Sequence, residues 1–171
     1  MRIIIDPGHG GKDPGAVGNG LREADVNIKL AQYLEAELKG KHQVVLTRRG
    51  NLFVSLPERT AFSNAVNADL FISLHCNSAA NSQANGIETL CYSEKSRGFN
   101  YAHKVQQALV KGTGLTDRGV KIRSDLYVLR HTVAPAILIE LGFISNPKDA
   151  AWLKNQENIK KAARLIAQAI N

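Results

Sequence analysis

A chain of 171 residues with 44% apolar and 22% charged residues has the make-up of a folded domain with its own core, which excludes disordered and fibrous architectures. No apolar run approaches the roughly 20 residues of a membrane-spanning helix, and Cys76 and Cys91 form neither a disulfide framework nor a CxxC metal pair. The net charge of +7 suits an anionic partner, yet the basic residues are scattered and aromatics are few, so no nucleic-acid surface can be read.

Residues 2–5 read as a buried strand, and Gly8, Gly10, Gly11, Gly15, Gly18 and Gly20 make the following segment a tightly turned loop. A helix is expected from about Arg22 to Leu38, with Val26, Leu30, Leu34 and Leu38 on one stripe and Gly40 as its stop. Residues 43–47 make a second strand, Pro57 opens a helix to about Asn67, and residues 69–75 make a third strand. Residues 86–92 read as a strand and 94–111 as a helix ended by Gly112. The segment 112–125 reads as loop, with short strands at 126–130 and 136–141. Asn146-Pro147 starts a short helix, and a last helix over 156–170 turns Ile159, Ala163, Ile166 and Ile170 inward.

Strands alternating with helices, the strands apolar on both faces, predict an α/β fold of three layers, α/β/α. It has a mainly parallel twisted sheet of about six strands with helices on both faces, in one domain spanning residues 1–171. In such sheets ligands collect beyond the carboxyl ends of the strands. Three apolar runs end there in a chemically useful side chain: His9 after Ile-Ile-Ile-Asp-Pro-Gly, His75 after Asp-Leu-Phe-Ile-Ser-Leu, and Glu140 after Ala-Ile-Leu-Ile. A carboxylate in the strand of Glu140 is costly unless paired, protonated or metal-linked, and the raised pKa of such a group is what a general base near neutral pH needs.

Glu23 falls in the first turn of the helix at 22–38, where the dipole favours the ionised form; capping explains it equally well when it is taken alone. Asp6 either accepts the second ring proton of a metal-bound His9 or caps the turn. Strand alternation turns Cys76 away from the His75 side, so it reads as a small buried thiol, while Asn77 returns to the His75 side. His42, His103 and His131 have no ligand-like context.

The pieces Ile5-Asp6-Pro7-Gly8-His9-Gly10-Gly11, Glu23, Ser73-Leu74-His75-Cys76-Asn77-Ser78, Gly86-Ile87-Glu88-Thr89 and the run from Pro135 to Asn146 occur in an order that is specific as a set. In these the chain resembles the catalytic domain of the type-3 family of zinc-dependent N-acetylmuramoyl-L-alanine amidases, found in autolysins, cell-division amidases and phage endolysins. The resemblance implies that His9, Glu23 and His75 hold one zinc ion (Zn2+) per chain and that Glu140 is the catalytic carboxylate. It implies a peptidoglycan substrate, action at the bacterial cell wall, a monomer, and no nucleic-acid partner or membrane insertion.

The family usually has a small residue where Cys76 stands, on the face away from the ligands. The positive charge also suits anionic wall polymers. Glu88 is given no chemical role; Arg123 and Arg130 read first as surface arginines, with stem-peptide carboxylates as the alternative ligand. A chain without a leader fits a phage lysin or an excised domain. The competing functions are a zinc peptidase or deacylase acting on another amide, and a wall-binding module without catalysis.

Overall fold

The computed structural model describes all 171 residues. The strands are β1 (Arg2–Pro7), β2 (Val17–Gly18), β3 (Leu21–Arg22), β4 (Gln43–Leu46), β5 (Leu70–Asn77), β6 (Ile87–Cys91), β7 (Asp117–Ile122) and β8 (Ala136–Phe143). The helices are α1 (Glu23–Leu38), α2 (Leu56–Ala65), α3 (Gly98–Thr113), α4 (Tyr127–His131), α5 (Pro147–Lys154) and α6 (Gln156–Ile170). Six strands form one sheet in the order β4-β1-β5-β8-β6-β7, and β2 and β3 pair as a small hairpin inside the glycine-rich loop. Every pairing in the sheet is parallel except β6 with β8.

Period-two alternation divides the strand side chains between two helical layers. Ile3, Ile5, Leu70, Ile72, Leu74, Ile137 and Ile139 face α1, α3 and α6 in the larger core. Ile4, Phe71, Leu90, Ala136 and Leu138 face the thinner layer, where Val128 and Leu129 of α4 cover them. Phe71 has no exposed surface, so Phe71→Ala would cost about 3–5 kcal/mol. Helix α2 starts on a capping box, with Ser55 and Glu58 each satisfying a backbone N–H of the other and Pro57 in the first turn.

Three sequence expectations are corrected. Residues 126–130 are not a strand: Tyr127–His131 forms α4, which buries Val128 and Leu129 under the sheet. The segment read as loop contains β7, an edge strand whose polar Asp-Arg-Gly-Val-Lys-Ile sequence gives little apolar signal. Helix α3 runs through Gly112 to Thr113 and stops at Gly114, which takes the left-handed conformation at φ 74°. Gly112 lies inside the helix, where its missing side chain lets Leu165 of α6 pack against the backbone.

Candidate active site

The carboxyl edge of the sheet gathers the four residues named from sequence. His75, near the end of β5, pairs in register with Glu140 on β8, and Glu140 pairs in turn with Glu88 on β6. All three share strand parity with the residues of the thinner core, so a row of imidazole, carboxylate and carboxylate crosses three strands on that face. His9 joins from the loop after β1, and Glu23 reaches over from the first turn of α1.

His9, Glu23 and His75 converge. Glu23 Oε1 lies 2.8 Å from His75 Nδ1 and 3.1 Å from His9 Nε2, and one donor atom from each of the three lies within 4.8 Å of the others. The carboxylate is oriented by backbone: Ala16 N–H donates to Oε2 at 2.9 Å and Cys76 N–H to Oε1 at 3.1 Å. The loop in turn satisfies the start of α1, since Pro14 and Ala16 carbonyls accept from Ala24 and Glu23 N–H. Gly15 completes the cradle. A Cβ there would lie 2.6 Å from Glu23 Oε2 and 2.7 Å from the His9 ring, and its φ of +66° is already one that favours glycine.

Asp6 neither orients His9 nor caps the turn, the two roles its position suggests. Strand alternation turns Asp6 toward α2, where its buried carboxylate accepts from Arg59 at 2.7 Å, Thr47 at 2.6 Å and Ser73 at 2.9 Å. The orienting group is Asp13, whose Oδ2 lies 2.8 Å from His9 Nδ1 while its Oδ1 accepts from Gly15 N–H. A carboxylate on one ring nitrogen leaves the other, Nε2, turned to Glu23, the arrangement that prepares an imidazole for metal. His9 itself adopts a left-handed φ of 61°, a conformation that costs a non-glycine residue about 1–2 kcal/mol and is held by this network.

Electrostatics separate the carboxylates. Burial works to raise Glu23, but hydrogen bonds from His75 and His9 outweigh it and hold the acid far below its usual range. Burial also opposes protonation of His9, yet Glu23 and Asp13 raise that imidazole to about 9. At Glu140 burial prevails: it pushes the carboxyl up to about 7, with His75 pulling against it and Glu23 and Glu88 adding to it. Its Oε2 is shielded from solvent and has no hydrogen-bond partner. A shielded acid poised near neutrality, beside a cluster of donors, is equipped to accept and return a proton.

Two nitrogens and one carboxylate oxygen, with the second nitrogen of His9 tied to Asp13, fit a divalent zinc-type ion with one position left open. Three other polar side chains singled out from the sequence lie away from the donor cluster. Glu88, to which no chemistry was assigned, is clamped between Asn77 at 2.7 Å and Arg118 at 3.0 Å. Arg123 forks onto Asp125 with two bonds of 2.8 Å, and Arg130 is exposed on α4. Cys76 is buried in the larger core, and burial raises its thiol well above the usual range, aided by Glu23, Glu140 and Asp149; it is no nucleophile.

Fold and site together define an enzyme of the hydrolase class whose donor set suits a divalent metal. Residues 3–171 match the Amidase_3 family, described as N-acetylmuramoyl-L-alanine amidase, and the chain belongs to that family of peptidoglycan hydrolases. It is 42% identical to the uncharacterized protein YqiI of Bacillus subtilis over 99% of this chain and 82% of that one. It is 39% identical to the N-acetylmuramoyl-L-alanine amidase LytC of the same organism, over 96% of this chain but 34% of LytC, so the chain spans about a third of that relative. The catalytic domain of the amidase CwlV from Bacillus (Paenibacillus) polymyxa superposes with a TM-score of 0.93 at 36% identity, covering 99% of this chain and 95% of that domain.

Proposed function

We propose that residues 1–171 act as one catalytic unit. It hydrolyses the amide between the lactyl carbonyl of N-acetylmuramic acid and L-alanine, with one zinc ion held by His9 Nε2, Glu23 and His75 Nδ1. Bound there, zinc would supply Lewis-acid polarisation of the carbonyl and lower the pKa of a coordinated water from 15.7 toward about 7. The remaining work falls to the chain. Glu140 takes a proton from the attacking water as the carbon–oxygen bond forms, and returns it to the amine nitrogen as the carbon–nitrogen bond breaks. The products are a muramic acid carboxylate and a peptide with a free alanine amine.

The observation that carries this reading is the shielded Glu140, held up near 7 and set in register beside His75. A base with a pKa near the working pH combines a useful ionised fraction with a conjugate acid strong enough to protonate the amine. The net charge of +7 supports attraction to anionic wall polymers, which would concentrate the domain on its substrate. Digestion of purified muropeptides by zinc-loaded protein, with products identified by mass, tests the reading. Free alanine amino termini with intact stem peptides are expected; cleavage within the stem would make the protein a peptidase, and tight binding without products a wall-binding module.

A further inference from the structure

Between the histidines and α2 lies a groove of about 300 Å³, lined by His9 and His75 at one end and by Phe53, Val54, Leu56 and Val128 along its walls. Its rim is unusually apolar for exposed surface: Leu52, Phe53 and Leu56 are 63%, 46% and 51% exposed, three large side chains within five residues. This rim is built into the active-site loop. Cβ atoms on Gly10 and Gly11 would lie 2.2 Å from the Leu52 carbonyl oxygen and 2.6 Å from Phe53 N, so these glycines admit the 50–53 backbone against the loop that carries His9. Asn51 accepts from Gly11 N–H at 2.9 Å, and the buried Arg48 ties the Gly50 and Gly8 carbonyls together.

The groove lining has no free formal charge. Asp6 is spent on Arg59, and Asp13 on His9. The other flank of Glu140 differs. There β6, β7 and the segment after them carry two ion pairs, Glu88–Arg118 and Arg123–Asp125, and the exposed Lys121, whose ammonium has no carboxylate partner and is the one free charge on this side; the Arg118 guanidinium also lies 4.8 Å over the Phe143 ring. A substrate laid across these strand ends has a neutral, C–H-rich half, the sugar, and a charged half, the peptide. Resting on the amidase reading above, we infer that the groove along Phe53, Leu56 and Val128 is the glycan subsite, with sugar rings packed on the Phe53–Leu56 wall and the stem peptide directed toward β7. The Lys12 ammonium, 4.6 Å from the centroid of the Phe53 ring, stands at the rim and not in the lining.

The test is calorimetric titration of zinc-loaded protein with two separate probes, a peptide-free N-acetylated amino-sugar oligomer and a free stem peptide. The parent chain is compared with Phe53→Ala and Leu56→Ala; both side chains are about half exposed, and thermal melts check that the fold is kept. The glycan Kd is expected to rise roughly tenfold in each variant, on the scale of one well-packed apolar side chain, with the stem-peptide Kd unchanged. Weakened stem-peptide binding with unchanged glycan binding would give the groove to the peptide and overturn the assignment, as would no change for either probe. Because binding is read directly, a failed subsite and a failed amidase reading give different results.

Discussion

Glu140 stands in register with His75 on the neighbouring parallel strand, which sets an unpartnered carboxylate, one of its oxygens shielded from solvent, beside the convergence of His9, Glu23 and His75. The sheet fixes this relationship: neither residue can shift along its strand without breaking the ladder that pairs Phe71 through His75 with Ala136 through Glu140.

Glu140→Gln keeps the shape and loses the proton acceptor. Turnover should fall by about 10²–10⁴-fold while zinc content stays at that of the parent. In the parent, kcat/KM should rise with pH through about 7, since the base must be ionised, and the residual activity of the variant should lose that rise. Stopped assays across pH 5–9, paired with metal analysis, check both.

Asp13→Ala removes the partner of His9 Nδ1 and leaves every ligand in place. Zinc affinity should drop by about 10–100-fold, the usual cost of losing a carboxylate behind a metal-bound histidine, as read by chelator competition. Gly15→Ala should have an effect of similar size by another route, since the added methyl would collide with both Glu23 and His9.

Protons compete with metal at this site. In the metal-free protein His9 titrates at about 9, above its ordinary 6.5, so its contribution to stability is complete below pH 6.5 and is lost as pH rises through about 9. Glu23 is depressed from 4.5, so its contribution is present above about 4.5 and is lost as pH falls through its folded value. This cluster therefore stabilises the metal-free chain most between about pH 4.5 and 6.5, and melting temperature should decline from pH 6.5 to 9.5. Apparent zinc affinity runs the other way, rising about tenfold per pH unit up to about 9 as the His9 proton is displaced. Calorimetric melts and titrations across this range test both signs.

Arg59 is buried against Asp6 and also donates to the Pro7 and His9 carbonyls. Arg59→Leu would leave the Asp6 charge in the interior without its cation. A loss of about 3 kcal/mol is expected in denaturant unfolding, at the lower end for broken buried pairs because Thr47 and Ser73 still donate to Asp6.

Much of this was legible from the residues. His9, His75 and Glu140 stood out because each ends an apolar run, and parallel strands bring such ends to one edge. Glu23 was visible through its companions, since a first-turn glutamate has ordinary capping uses. Asp13 was missed in favour of Asp6. Asp6 was the nearer acid to a reader of sequence, but it lies within β1 and alternation turns it to the α2 face, while the turn through Gly10 and Gly11 folds Asp13 back onto the imidazole. The signal available was an acid four residues after a histidine inside one glycine loop. Helix α4 and strand β7 escaped for opposite reasons: five apolar-rich residues suit either helix or strand, and the edge strand β7 offers only Val120 and Ile122 as apolar residues.

Anomalous diffraction at the zinc edge, from crystals of the Glu140→Gln protein with a bound muropeptide, tests the central claim most directly. The account predicts one peak per chain, about 2.0–2.2 Å from His9 Nε2, Glu23 and His75 Nδ1, with an open side facing the scissile carbonyl. A zinc-loaded crystal with no peak among these three residues, or a peak held by other ligands, would contradict it.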